Sequence, residues 1–195
     1  MKSMLKMTAA ALLLAGAPVV AQTLAPPVIV IVDLDEIVNT SAAGKTAATE
    51  LQGRIQALQN RANTLQTQLQ TEAQAIQAGQ ANKTLAGAAL ETRARAFGER
   101  QQAAQQELGR GDQEIQRARQ FIIKQINDAA QPIITQVMRE RGASIALAQG
   151  ATLQNSGSLD VTSDIIARLN TSLPRVSTTP PPATPPAPPT TAPRQ

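Results

Sequence analysis

A pair of long heptad seams most limits what this chain can become. From Leu51, apolar or small residues recur at Ile55, Leu58, Ala62, Leu65, Leu69 and Ile76 in alternating steps of four and three, interrupted only at Glu72. A second seam runs from Leu90 through Ala94, Phe97, Gln101, Ala104, Leu108, Gly111, Ile115 and Ala118 to Ile122. A period of this kind puts one stripe of each helix against a partner helix. Gln, Thr, Asn and Arg fill the positions between and suit a solvated face. The turn-like Gly79-Gln80-Ala81-Asn82 separates the seams, so the spacing predicts an antiparallel helical hairpin over residues 44–141 with its tip at about 79–86. At 1.5 Å per residue a first helix of about 36 residues reaches roughly 54 Å. Nothing else in a chain this short can enclose such a length, so the hairpin projects as an arm. Glycines at 79, 87, 98, 109 and 111 each weaken a helix by about 1 kcal/mol relative to alanine, which predicts an arm that bends readily. Pro132 predicts a kink near the end of the second helix, and Arg141-Gly142 predicts its stop.

The composition agrees with long helices: two Phe, with no Tyr, Trp or His, leave little aromatic mass for a globular core. Cysteine is absent, which excludes disulfides and thiolate-held metals. The net charge of +4 is not spread along the arm, because Lys2 and Lys6 lie at the start of the chain and Arg175 and Arg194 near its end. The intervening body balances basic against acidic residues and has no dense basic stripe, so nucleic-acid binding is excluded.

Residues 1–21, MKSMLKMTAAALLLAGAPVVA, have the charged start, short apolar core and small-residue end of a secretory signal. The apolar core is too short to span a bilayer, which points to a cleaved leader and, in a bacterium, to the periplasm. Residues 22–43 and 142–172 flank the arm and are expected to form a small α/β body. In it, 28–32 (VIVIV) reads as a strand buried on both faces, SIALA and ATLQ as a β-hairpin, and 159–162 (LDVT) as the lead into an amphipathic helix with Val161, Ile165, Ile166 and Leu169 inward. From 173 to 195 the chain is Pro/Thr-rich and is expected to be a disordered tail. The fold class is therefore mainly α, a coiled-coil arm on a short-stranded oligomerisation body.

Two short signals look enzymatic. Gly44-Lys45-Thr46 resembles the end of a phosphate loop, but the glycine needed five positions earlier is Asn39. Asp33-Leu34-Asp35 at a strand end resembles a phosphatase nucleophile pair, yet only heptads, one small hairpin and a helix follow it, with none of the further strand-end groups a metal site needs. Both read better as the end of a strand and the acidic start of a helix. With no His, no Cys and no second carboxylate cluster, the chain is expected not to be an enzyme, and no catalytic, metal or cofactor-binding residue is assigned.

The opening IVDLDEIVNTSAAGK, the long hairpin and the closing DVTSDIIARLN, in that order behind a leader, resemble the Skp (OmpH-like) family of periplasmic chaperones over roughly residues 28–170. The resemblance implies a homotrimer whose arms enclose a cavity for unfolded outer-membrane proteins, held without ATP. Under it, Lys83, Arg93, Arg95, Arg100, Arg110, Arg117 and Arg119 are the expected cationic contacts to clients, each with solvated helix surface as its ordinary role. The expected oligomer core is Val28, Ile29, Val30, Ile31, Val32, Ile145 and Leu147, because three short strands per chain cannot close a core alone. The small positive excess of the arm counts against electrostatic client capture and leaves contact with lipopolysaccharide or a membrane surface open. The alternative reading is a non-catalytic coiled-coil spacer tethered through its proline tail.

Overall fold

A computed structural model describes residues 26–182, so residues 1–25, where a leader is expected, and residues 183–195 lie outside the described residues. The element order is β1 (Ile29–Val32), α1 (Leu34–Thr40), α2 (Ala42–Ala81), α3 (Gly87–Glu140), β2 (Ile145–Ala148) and α4 (Thr162–Ser172). Helices α2 and α3, of 40 and 54 residues, form the hairpin, and α2 starts nearer the body than the heptads alone mark. Ser41 separates α1 from α2 and caps the latter, its hydroxyl accepting from the Gly44 amide at 3.2 Å. Helix α3 runs through Pro132. The proline and Asp128, whose carbonyl loses a donor, are both exposed, where water can replace the missing bond.

The sheet corrects the expected β-hairpin. β2 pairs with β1 in parallel, Ile29 against Ile145 through Val32 against Ala148. ATLQ is not a strand, since a 3-10 turn at Gln149–Ala151 follows β2 directly. Parallel neighbours need a long crossover, and here α1, α2 and α3 together are that crossover. Among the described residues, the other edge of β1 carries only an isolated bridge from Ile31 to Asp160.

A single chain closes its own core, contrary to the expectation that short strands would leave it open. The buried cluster joins Val30 and Val32 of β1, Ile37 of α1, Ile165 and Leu169 of α4 and, from the arm helices, Ala43, Ala47, Ile122, Ile126, Ala130 and Val137. The arm is thus continuous with the body, and its roots supply the aliphatic mass that the strands lack. Ion pairs fasten α4 to the end of α3: Arg168 grips Glu140 with two hydrogen bonds, and Arg141 reaches Asp164 at 2.7 Å.

The expectation of a tail without structure is corrected at its beginning. The Gln125 amide exchanges hydrogen bonds with the Ser177 backbone at 2.8 and 3.1 Å. Thr178 is buried; its hydroxyl donates to Glu50 and accepts from Arg54, whose guanidinium also holds the Thr178 carbonyl. Residues 177–179 therefore strap the roots of α2 and α3 together.

Candidate functional site on the helical arm

The two enzyme-like signals resolve into helix starts. Asp33 caps α1 by accepting from the Glu36 amide at 2.8 Å, and its own amide donates to the Thr162 hydroxyl. At the start of α2 the Ala42 amide is taken by the Asn170 side chain at 2.7 Å and the Gly44 amide by Ser41, so these donors are not free for a phosphate. Gly44 is there for space: a Cβ on it would lie 1.7 Å from the Val38 carbonyl oxygen. Among the described residues no group of three potential metal ligands occurs, and no helix is long and apolar enough to cross a membrane.

The arm is where surface geometry becomes distinctive. Seam residues Ile55, Leu58, Leu65, Leu69, Ile76, Phe97 and Leu108 are only half-buried, and Ala94 and Gln101 are exposed. The seam has been filled with small or polar residues where a closed coiled coil needs bulk. Gly111 is the exception: a Cβ there would lie 2.5 Å from Leu58 Cδ1, so this glycine admits a leucine knob.

The shortfall of bulk leaves a groove on each side of the seam, sharing Leu65, Leu69 and Ala104 as floor. One, about 670 Å³, is walled by Arg61, Glu72, Arg93, Arg100 and Glu107. Arg61 holds Glu107 across the hairpin with two hydrogen bonds, and Arg100 holds Glu72 at 2.6 Å. The Arg61 hydrogen bonds keep the Glu107 carboxyl below the ordinary value for a glutamic acid. Glu72, which interrupts the first seam in sequence, is thus a pin fixing the register of the two helices. The other groove, about 490 Å³, has Ala62, Gln66, Gln70, Phe97, Gln101 and Gln105 among its walls and no charged residue.

Of the seven expected cationic residues, only Arg93 and Arg100 line the charged groove together. Arg100 is committed to Glu72, while Arg110 and Arg117 each fold back onto a carbonyl of their own helix. Lys83 sits at the tip with a positive φ of 57°. Arg93 lines the charged groove, Arg95 is exposed, and Arg119 lies at the root of the arm beside Val38 and Ile122. The uncharged groove escapes a reading that treats glutamine as solvated surface; its signal is the pairing of Gln66 with Gln70 and of Gln101 with Gln105, one helical turn apart beside the seam.

The family described as outer membrane protein (OmpH-like) matches the chain over residues 28–169. A solved structure described as a candidate outer membrane chaperone (OmpH-like) from Caulobacter crescentus CB15 superposes with a TM-score of 0.71 at 23% identity, covering 80% of this chain and 90% of that one. That likeness is one of fold. A search of curated proteins finds no match. The matched span takes in both strands, both arm helices and most of the closing helix, and the chain belongs to the OmpH-like family.

Proposed function

We propose that this chain is an ATP-independent periplasmic holdase that keeps unfolded outer-membrane proteins from aggregating. The observation that carries the reading is the unfilled seam, which leaves two open grooves along the arm of an OmpH-like chain. Such surfaces suit many weak contacts with a client that has no fixed shape. Binding then lowers the free concentration of the client by mass action, with no fuel. The chemistry asked of the arm is contact alone, so no catalytic group or cofactor enters the reading.

The holdase works, in this reading, as a homotrimer joined through the body. Val30, Ile31 and Val32 are already buried within one chain, so their burial needs no second copy. What remains for subunit contact is the outer edge of β2 with Ile145 and Leu147, together with exposed Val28 and fully exposed Leu153. An open edge of this kind invites pairing unless another chain covers it.

The test is dilution of a urea-unfolded outer-membrane barrel protein into buffer with the protein present at stoichiometric trimer concentration, followed by light scattering. Suppressed scattering supports the holdase. Unchanged scattering would leave a structural spacer as the better account. Removing residues after Pro182, which keeps the strap at 177–179, should leave suppression intact; its loss would move the activity to the tail.

A further inference from the structure

Along the grooved stretch of the arm, most charged residues lie on one side of the seam. Five charged residues occur in the facing spans 61–73 and 97–108: Arg61, Glu72, Glu99, Arg100 and Glu107. Four of them wall the charged groove, and Glu99 lines neither groove. The opposite groove presents Gln66, Gln70, Gln101 and Gln105, whose side chains make no hydrogen bond among the described residues, over an apolar floor flanked by Phe97 and Leu108. Each free amide offers two donors and an acceptor.

We infer that the uncharged groove is the strip that grips a client, and that its occupant is an extended, uncharged polypeptide segment with alternating apolar side chains. The inference rests on the holdase reading and specifies which arm surface carries it. From Ala62 to Ala73 the groove spans roughly 16 Å at 1.5 Å per residue, room for about five extended residues at 3.3 Å each. Alternate side chains of such a segment enter the apolar floor, while its backbone amides and carbonyls meet the four glutamines. A charged segment meets no counter-charge here and loses its hydration. The opposite groove has already paired most of its charge internally, so it attracts ions of either sign weakly.

The experiment places a photo-cross-linking residue singly at Gln66, Gln101, Gln68 and Ala103, the last two lining the charged groove. Each variant of the full-length protein is irradiated with the urea-diluted barrel protein, while light scattering is read in parallel. Cross-linking should be several-fold stronger from positions 66 and 101. A fluorescent ten-residue peptide alternating Leu or Val with Thr or Ser should bind with little dependence on salt, and replacing its polar positions with Glu or Lys should weaken binding by about tenfold. The double variant Gln70→Glu, Gln101→Glu, checked for unchanged helix content, should weaken the neutral peptide to a similar extent. Suppressed scattering with equal or stronger cross-linking from positions 68 and 103, or with steeply salt-dependent peptide binding, overturns the groove assignment and leaves the holdase standing. If scattering is not suppressed, the holdase reading fails. In that event neutral-peptide binding sensitive to the glutamine variants still supports the groove as a peptide site, and its absence overturns that as well.

Discussion

The same two helices behave in opposite ways at the root and along the length of the arm. At the root, Ile126, Ala130 and Val137 are at most 1% exposed and lock against α4 and β1. Further out the heptads continue, yet their leucines stay half-exposed because alanine, glycine and glutamine stand opposite them. Heptad spacing alone therefore fixes which stripe faces the partner helix, while the volume of the residues in the stripe decides whether the stripe closes. A root that is closed and an arm that is open give a rigid mount and an accessible surface from one continuous pair of helices.

The largest effects should expose this contrast directly. Ile126→Ala empties a fully buried site and should cost about 2–5 kcal/mol, whereas Leu65→Ala removes a half-buried side chain from the groove floor and should cost about 1 kcal/mol or less. Chemical denaturation of both variants measures the difference, and equal costs would mean that the arm is as closed as the root. Gly44→Ala belongs with the root: the new methyl collides with the Val38 backbone, and separating α1 from α2 should cost about 3 kcal/mol. Gly98 and Gly109 have nothing within 4 Å of a Cβ, so alanine at either should instead stiffen the arm by up to about 1 kcal/mol. Slower amide exchange confined to the arm would show it.

These examples also mark what the amino-acid order discloses. The hairpin, its tip and the inward face of α4 are legible because they depend on periodicity, which is local. Parallel pairing of β1 with β2 is not, since two four-residue strands separated by the whole arm carry no local mark of direction; SIALA followed by a glycine and ATLQ satisfies hairpin chemistry equally well. Gly111 reads as a weak point until Leu58 is seen to fill the space above it. The charged and uncharged grooves are invisible for a related reason: Arg61 and Glu107 are 46 positions apart, and only the register of the hairpin joins them. Thr178 lies in a segment whose composition predicts no structure, and it is buried because Glu50 and Arg54 happen to offer it a complete set of partners.

The strap tests whether the root is closed by packing alone. Thr178→Ala leaves Glu50 and Arg54 without the hydroxyl they share and should cost about 1–2 kcal/mol. Thr178→Ser retains the hydroxyl and should recover most of that. Thermal unfolding separates the two, and an alanine variant as stable as the parent would show that residues 177–179 rest on the root without holding it.

Acidification should produce the smallest effect and can tell the two regions apart once more. Hydrogen bonds from Arg61 lower the pKa of Glu107 in the arm, and hydrogen bonds from Arg168 lower that of Glu140 at the root. A carboxyl whose folded pKa lies below its unfolded value, about 4.3, contributes its full stabilisation above that value and loses it as the pH falls through the lowered folded pKa. Both pairs are open to solvent, so salt screens them and the stability change stays modest. Below about pH 4, amide protection measured against the unstructured exchange rate at the same pH should fall more near Glu107 than near Glu140, because the arm has little buried packing to fall back on whereas the end of α3 also rests on Val137 and α4. In Glu107→Gln the acid-dependent part of the arm response should vanish while the response near Glu140 persists. An arm that loosens with acid to the same extent in that variant would mean that the cross-hairpin pin is not what holds its register.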